Sequence, residues 1–142
     1  MVSRLAHMPR GLLTFLRITD LGMLGYWAVS FAAVVGLVRL PAAAMYAGYG
    51  TPVVDAWNWS FAPLDIAFAV CGLWSIRLAR HGRASWKGLA IVSLTLTICA
   101  GGMAIAFWTL LKSFDPSWWV PNLILLLAPL VWLPRLVSDS NL

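Results

Sequence analysis

The chain has 142 residues, of which 61% are hydrophobic and 11% charged, with a mean hydropathy of +0.84 and nine tryptophans against ten Lys plus Arg. A soluble domain carries about 25% charged residues, so this sequence has too little polar surface to dissolve and reads as a membrane protein. The same composition excludes intrinsic disorder and a disulfide scaffold, and it assigns the net charge of +5 to membrane orientation and anionic lipid headgroups, with no nucleic acid as partner.

Cut at its charges and prolines, the chain yields four apolar runs near the roughly 20 residues that cross the hydrocarbon. They are about Thr19 to Val38, Trp59 to Ala79, Gly88 to Leu111 and Trp118 to Val137. Their length and lack of alternation exclude a β-barrel. The predicted fold is all-α, a single four-span domain over residues 1–142 forming an integral membrane four-helix bundle. The Arg4 to Arg17 stretch feeds into the first span with no A-x-A-like site before it, so it is not read as a signal peptide. Arg4, Arg10, Arg17, Arg77, Arg80, Arg83, Lys87 and Arg135 fall on one side of the spans, and only Arg39 and Lys112 on the other. Lys and Arg beside spans stay in the cytoplasm, which predicts a bacterial inner-membrane protein with both termini cytoplasmic.

In span one, Thr19 and Asp20 read as an N-cap with Arg17 as partner; the alternative is a helix that begins near Gly11 and carries Asp20 into the bundle. Trp27, in mid-span, is expected to pack inside. The loop Leu40 to Asp55, with Pro41, Tyr46, Gly48, Tyr49, Gly50 and Pro52, is the one connection long enough to act as a lid.

Span two holds the main candidate. Asn58, Phe61, Ala62, Asp65, Phe68, Ala69 and Gly72 recur at three- and four-residue spacing, placing an amide, a carboxylate and aromatic rings on one face. A carboxylate inside a bundle is costly and is a functional candidate by default. The alternative starts the helix at Phe61, with Asn58 or Ser60 as cap, Pro63 in the first turn and Asp65 as a shallow acid at the helix N-terminus. Asp55 and Asp115 read as acids just ahead of helices.

Ser93, Thr97 and Gly101 make span three a packing helix. Cys71 and Cys99 read as inert core thiols. Trp74, Trp86 and Trp132 suit a cytoplasmic interface belt. Trp57, Trp59, Trp108, Trp118 and Trp119 crowd the other end with Asn58 and Asn122 among them, either as an interface belt or as an aromatic cage beside Asp65. His7 and His81 are isolated, and no phosphate-binding, zinc-protease or dinucleotide-binding motif occurs, so neither metal nor cofactor is predicted.

The string Trp57-Asn58-Trp59-Ser60-Phe61-Ala62-Pro63-Leu64-Asp65 resembles the YvaD-like family of small bacterial four-span proteins, as do Ile18-Thr19-Asp20, Leu94-Thr95, Ala106-Phe107-Trp108, Phe114-Asp115 and Trp118-Trp119-Val120-Pro121-Asn122-Leu123. The resemblance runs from about Leu16 to Leu133 and implies the four-span fold without an assigned activity. The order of acids and the Trp-Pro-Asn cluster is also similar to the sterol-isomerase and sigma-two-receptor group. Pro63-Leu64-Asp65 resembles the proline-acid motif of small membrane carotenoid cyclases. In both, the residue order of this chain departs from the family pattern.

The expected function is binding of a small amphipathic or isoprenoid-like, cationic ligand in an outward-facing pocket. Asp65 is the counter-charge, Asn58 and Asn122 the hydrogen-bonding groups, and Trp59, Trp108, Trp118 and Trp119 the walls. A lipid isomerase or cyclase working through Asp65 with Asp20, and a structural subunit of a membrane complex, are the alternatives. Membrane lipids are expected partners, and a homo-oligomer or a membrane-protein partner stays open.

Overall fold

The computed structural model describes residues 7–41, 44–46 and 48–139. Arg4, one of the cations that set the expected orientation, lies outside them. Helix α1 (Arg10–Val34) starts directly after Pro9, well ahead of Thr19. Leu12, Leu16, Asp20 and Trp27 recur on its buried face, so core contacts extend the helix backwards from the apolar run. Thr19 and Asp20 therefore do not cap a helix. The Thr19 hydroxyl donates to the Phe15 carbonyl at 2.8 Å within α1, and Asp20 is fully buried. The helix ends at Val34, short of Val38, because Gly36 adopts a left-handed φ of 79° and the Leu37 amide turns back to the Ala32 carbonyl at 2.8 Å.

Span two begins earlier than its apolar run. Helix α2 (Pro52–Ser60) meets α3 (Ala62–Arg80) at Phe61, whose backbone stays helical. The two form one rod of 29 residues, Pro52–Arg80. Pro63 falls in the first turn of α3, where its missing N–H is tolerated. After α4 (Trp86–Leu110), the Asp115 side chain caps α5 (Pro116–Leu127) by accepting from the Ser117 amide at 2.9 Å and hydroxyl at 2.7 Å. These bonds hold its carboxyl below the usual value. Span four is not one continuous helix, since a 3-10 turn at Ala128–Val131, containing Pro129, separates α5 from α6 (Leu133–Asp139). Four helical stretches are thus long and apolar enough to cross a membrane, and no strand occurs among the described residues.

The helices pack in the order α1, α3, α4, α5, each mainly on its neighbour. Their interior is layered. Near the termini Leu12, Leu16, Ile76, Trp86, Ala90, Leu94 and Leu136 form one apolar cluster. Trp27, Phe61, Phe68, Ala69, Ala100 and Ala104 form the other, toward the loop 35–51. Asp20, Ser75, Ser93 and Thr97 lie buried between the two. Trp86 is 3% exposed, a core residue instead of an interface anchor, whereas Trp74 points outward. Cys99 is exposed on the outer surface of α4 and Cys71 is half-buried, so neither is a core thiol.

Candidate functional site

Asp65 is carried into the bundle by α3 and is 5% exposed. The antiparallel course of α1 brings the Trp27 indole opposite it, and Trp27 Nε1 donates to Asp65 Oδ2 at 3.0 Å. The other oxygen, Oδ1, is buried with no hydrogen-bond partner. Ser60 does not cap α3, because its hydroxyl donates to the Trp57 carbonyl at 2.6 Å. The interior position of Asp65 thus follows from α2 and α3 running on as one rod, which pushes the residue past the shallow first turn.

A cavity of about 400 Å³ lies beside this carboxyl. Its walls include Asn58, Asp65, Trp108, Trp118 and Asn122 of the expected set, with Trp57, outside that set, beside them. Trp57 stacks on Phe107 at 3.7 Å and meets Trp108 edge-on, which fixes that wall. Two expected wall residues are placed elsewhere. Trp59 packs behind Trp27 with ring centroids 5.2 Å apart, and faces a second cavity of about 220 Å³ under the loop. Trp119 turns away: its Nε1 donates to the Ser113 carbonyl at 2.9 Å and its ring leans on Phe114. Asn122 lines the cavity, but its amide donates to the Trp118 carbonyl at 2.8 Å, so it props the α5 turn ahead of any ligand.

Residues outside the expected set complete the wall. Tyr26 donates to Asn58 Oδ1 at 3.3 Å, and Gly22, Met23 and Thr19 carry the cavity along α1. A tyrosine, a glycine and a methionine at three- and four-residue spacing carry no signal of their own. The lid expectation for the loop has a structural counterpart in Tyr46, which is 6% exposed, lies edge-on to Trp118 at 6.1 Å and donates to Asp55 Oδ1 at 2.6 Å. Asp55 also accepts from the Gly50 amide at 3.1 Å, tying the loop to α2. Residues 42, 43 and 47 of that loop lie outside the described residues.

Burial and the neighbouring Asp55 raise the Tyr46 phenol above its ordinary value of 10.0. The neutral phenol is the form the fold favours, so the tie is complete below that ordinary value and is lost as pH rises through the raised one. Tyr46→Phe is expected to loosen the loop at neutral pH by about 1.5–3 kcal/mol, the worth of a hydrogen bond to a carboxylate. Faster amide exchange at Gly50 and Thr51 would report it, and unchanged exchange would show that the ring contacts alone hold the loop.

Asp20 occupies a second buried position. Its Oδ1 receives only a long contact from the Thr19 hydroxyl, 3.4 Å, while Oδ2 lies against Gly72 without a partner. Ser93 Oγ, from α4, faces the same glycine and is also unpartnered. Asp20 does not line the cavity at Asp65, so the two acids form separate features. Among the described residues no group of three or more His, Cys, Asp or Glu converges as metal ligands would.

Comparison with known proteins agrees with the sequence resemblance. Residues 12–141 match the model of a family of unknown function, DUF5360. The chain is 39% identical over 127 residues to the uncharacterized protein YvaD of Bacillus subtilis strain 168, covering 89% of this chain and 92% of that one. No solved structure matches. A family model that spans nearly every described residue, together with this relative, places the chain in the DUF5360 family.

Proposed function

We propose that this protein is a bacterial inner-membrane binding protein that holds a small amphipathic molecule in the cavity beside Asp65. The observation that carries the reading is the pairing of a cavity in the roughly 300–1,000 Å³ range of small-molecule sites with a buried carboxylate that keeps one oxygen unpartnered. The walls are mostly apolar and aromatic, with Asp65 and Asn58 among the polar groups able to orient a ligand. Asp65 is the sole carboxyl in the lining, and no Lys, Arg or His joins it, which favours a ligand with a positive head and favours binding over acid–base turnover. The cations Arg10, Arg17, Arg77, Arg80, Arg83, Lys87 and Arg135 gather at the end that bears both termini, supporting an orientation with that end in the cytoplasm.

Native mass spectrometry of gently extracted protein tests this by comparing wild type with Asp65→Asn. The asparagine keeps an acceptor for Trp27 Nε1, so the variant is expected to fold. A discrete small molecule that co-purifies with wild type and is absent from Asp65→Asn is the expected result. Bulk phospholipid alone on both proteins, with equal stability, would overturn the binding reading and leave a structural subunit.

A further inference from the structure

The cavity reaches the outer surface of the bundle along one side. Toward the loop, Tyr46 and Tyr26 both lie edge-on to Trp118, at 6.1 and 6.4 Å. Further along, α1 packs along α3, α5 packs along α4, and α1 and α5 form no comparable pair with each other. The cavity is nonetheless lined from both: Ile18 and Gly22 on α1, Pro121 and Ile124 on α5. Ile18 is 69% exposed and Ile124 50% exposed, so these slot residues lie at once on the cavity wall and on the outer surface.

In a spanning bundle that outer surface meets acyl chains. We infer that the cavity is filled sideways from the bilayer, through the slot between α1 and α5, by a single-chain amphiphile whose small ammonium head reaches Asp65 and whose chain leaves between Ile18 and Ile124. This inference rests on the binding function proposed above and adds the ligand class and its route. The polarity of the cavity runs the right way for such a molecule. Asp65, Asn58 and Tyr26, with the rings of Trp57 and Trp108, make the polar and aromatic part, while Ile18, Gly22 and Ile124 at the slot are apolar or bare. An ammonium head paired with the carboxylate inside hydrocarbon costs less than either charge would cost unpaired. A chain lying in the slot covers the gap that α1 and α5 leave open.

Gly22 is the position for a plug. A Cβ added there meets nothing within 4 Å, so a side chain starts from open space beside the slot. The test uses the full chain in phosphatidylcholine nanodiscs, with dodecyltrimethylammonium as probe, and reads occupancy by native mass spectrometry for wild type, Gly22→Phe and Asp65→Asn. Ile124→Trp closes the slot from α5 at a half-exposed position and serves as the second slot variant should Gly22→Phe fold poorly. The expected result is probe bound to wild type and roughly tenfold weaker binding in the slot variants and in Asp65→Asn. Slot variants that bind like wild type while Asp65→Asn loses the probe would overturn the lateral route and leave the binding reading standing. Loss in the slot variants with Asp65→Asn unaffected would overturn the placing of the head. A wild type that ignores the probe would overturn the ammonium amphiphile, and co-purification with native ligand then judges the binding function separately.

Discussion

Gly101→Ala is expected to be among the most damaging single substitutions in this protein, although it adds one methyl group. The Cβ would stand 2.6 Å from the Asn122 carbonyl oxygen and 2.7 Å from the Leu126 amide nitrogen. Both are backbone atoms of α5, so no side chain can swing aside, and relief requires α4 and α5 to move apart as bodies. Transmembrane helices lack a hydrophobic drive to associate and depend on such close approach for their contact. The cost is placed at the upper end of about 1–3 kcal/mol or above it, the range for overpacking a tight interior. Gly102→Ala is the matched control. One residue along the same helix, its Cβ would meet only Leu126 Cδ1 at an ordinary 3.5 Å, and it should unfold in mild detergent close to wild type. Since α5 supplies Pro121, Asn122 and Ile124 to the cavity wall, Gly101→Ala should also weaken ligand retention while Gly102→Ala does not. Equal thermal unfolding of the two variants would show that α4 and α5 are not held at this distance in the membrane.

The all-α fold and the number of spans were legible because hydropathy over some 20 residues is a coarse property that tertiary contacts do not alter. Helix limits were not. Span one was expected from Thr19 because Arg17 and Asp20 resemble an interface, with a start near Gly11 that carries Asp20 inward as the alternative, and the alternative is the one that holds. The helix begins at Arg10, since Leu12 and Leu16 pack with Ile76, Trp86 and Leu94 from other spans, and a hydropathy scan cannot see those partners. The inward face of α3 was legible from the spacing of Phe61, Asp65, Phe68, Ala69 and Gly72, all of them buried. Which tryptophans share a wall was legible only for Trp27, whose mid-span place puts it inside, where it donates to Asp65. Among the tryptophans crowded at the other end it was not, because ring direction depends on single hydrogen bonds such as the one that turns Trp119 out to the Ser113 carbonyl. The open slot between α1 and α5 is likewise a property of pairing, not of any residue in it.

Gly72→Ala is expected to destabilise the bundle strongly and to be rescued by a second change on another helix. The added Cβ would overlap Asp20 Oδ2, 2.8 Å from Asp20 Cγ and 2.9 Å from Ser93 Oγ, so α1, α3 and α4 all converge on the space this glycine leaves. Asp20 is fully buried with apolar clusters on either side, so its displaced carboxyl stays away from water. Moving a polar group there without a hydrogen bond costs about 1–3 kcal/mol by mutational measure. Asp20→Ala removes the obstructing atoms together with an oxygen that already lacks a partner, so alone it is expected to cost little. The double variant Gly72→Ala with Asp20→Ala should then lie close to Asp20→Ala, giving a coupling energy in the upper part of the 0.5–3 kcal/mol range seen for residues in contact, by the estimate of about that size for shared networks. Thermal unfolding of the four proteins in one detergent measures it. Strict additivity would mean that Asp20 swings clear of residue 72 at no cost, and the buried carboxyl would then be mobile between α1, α3 and α4 instead of clamped. Strong coupling would instead make Gly72 the reason a carboxylate can sit at the centre of this bundle: the missing side chain on α3 is the space that Asp20 fills from α1.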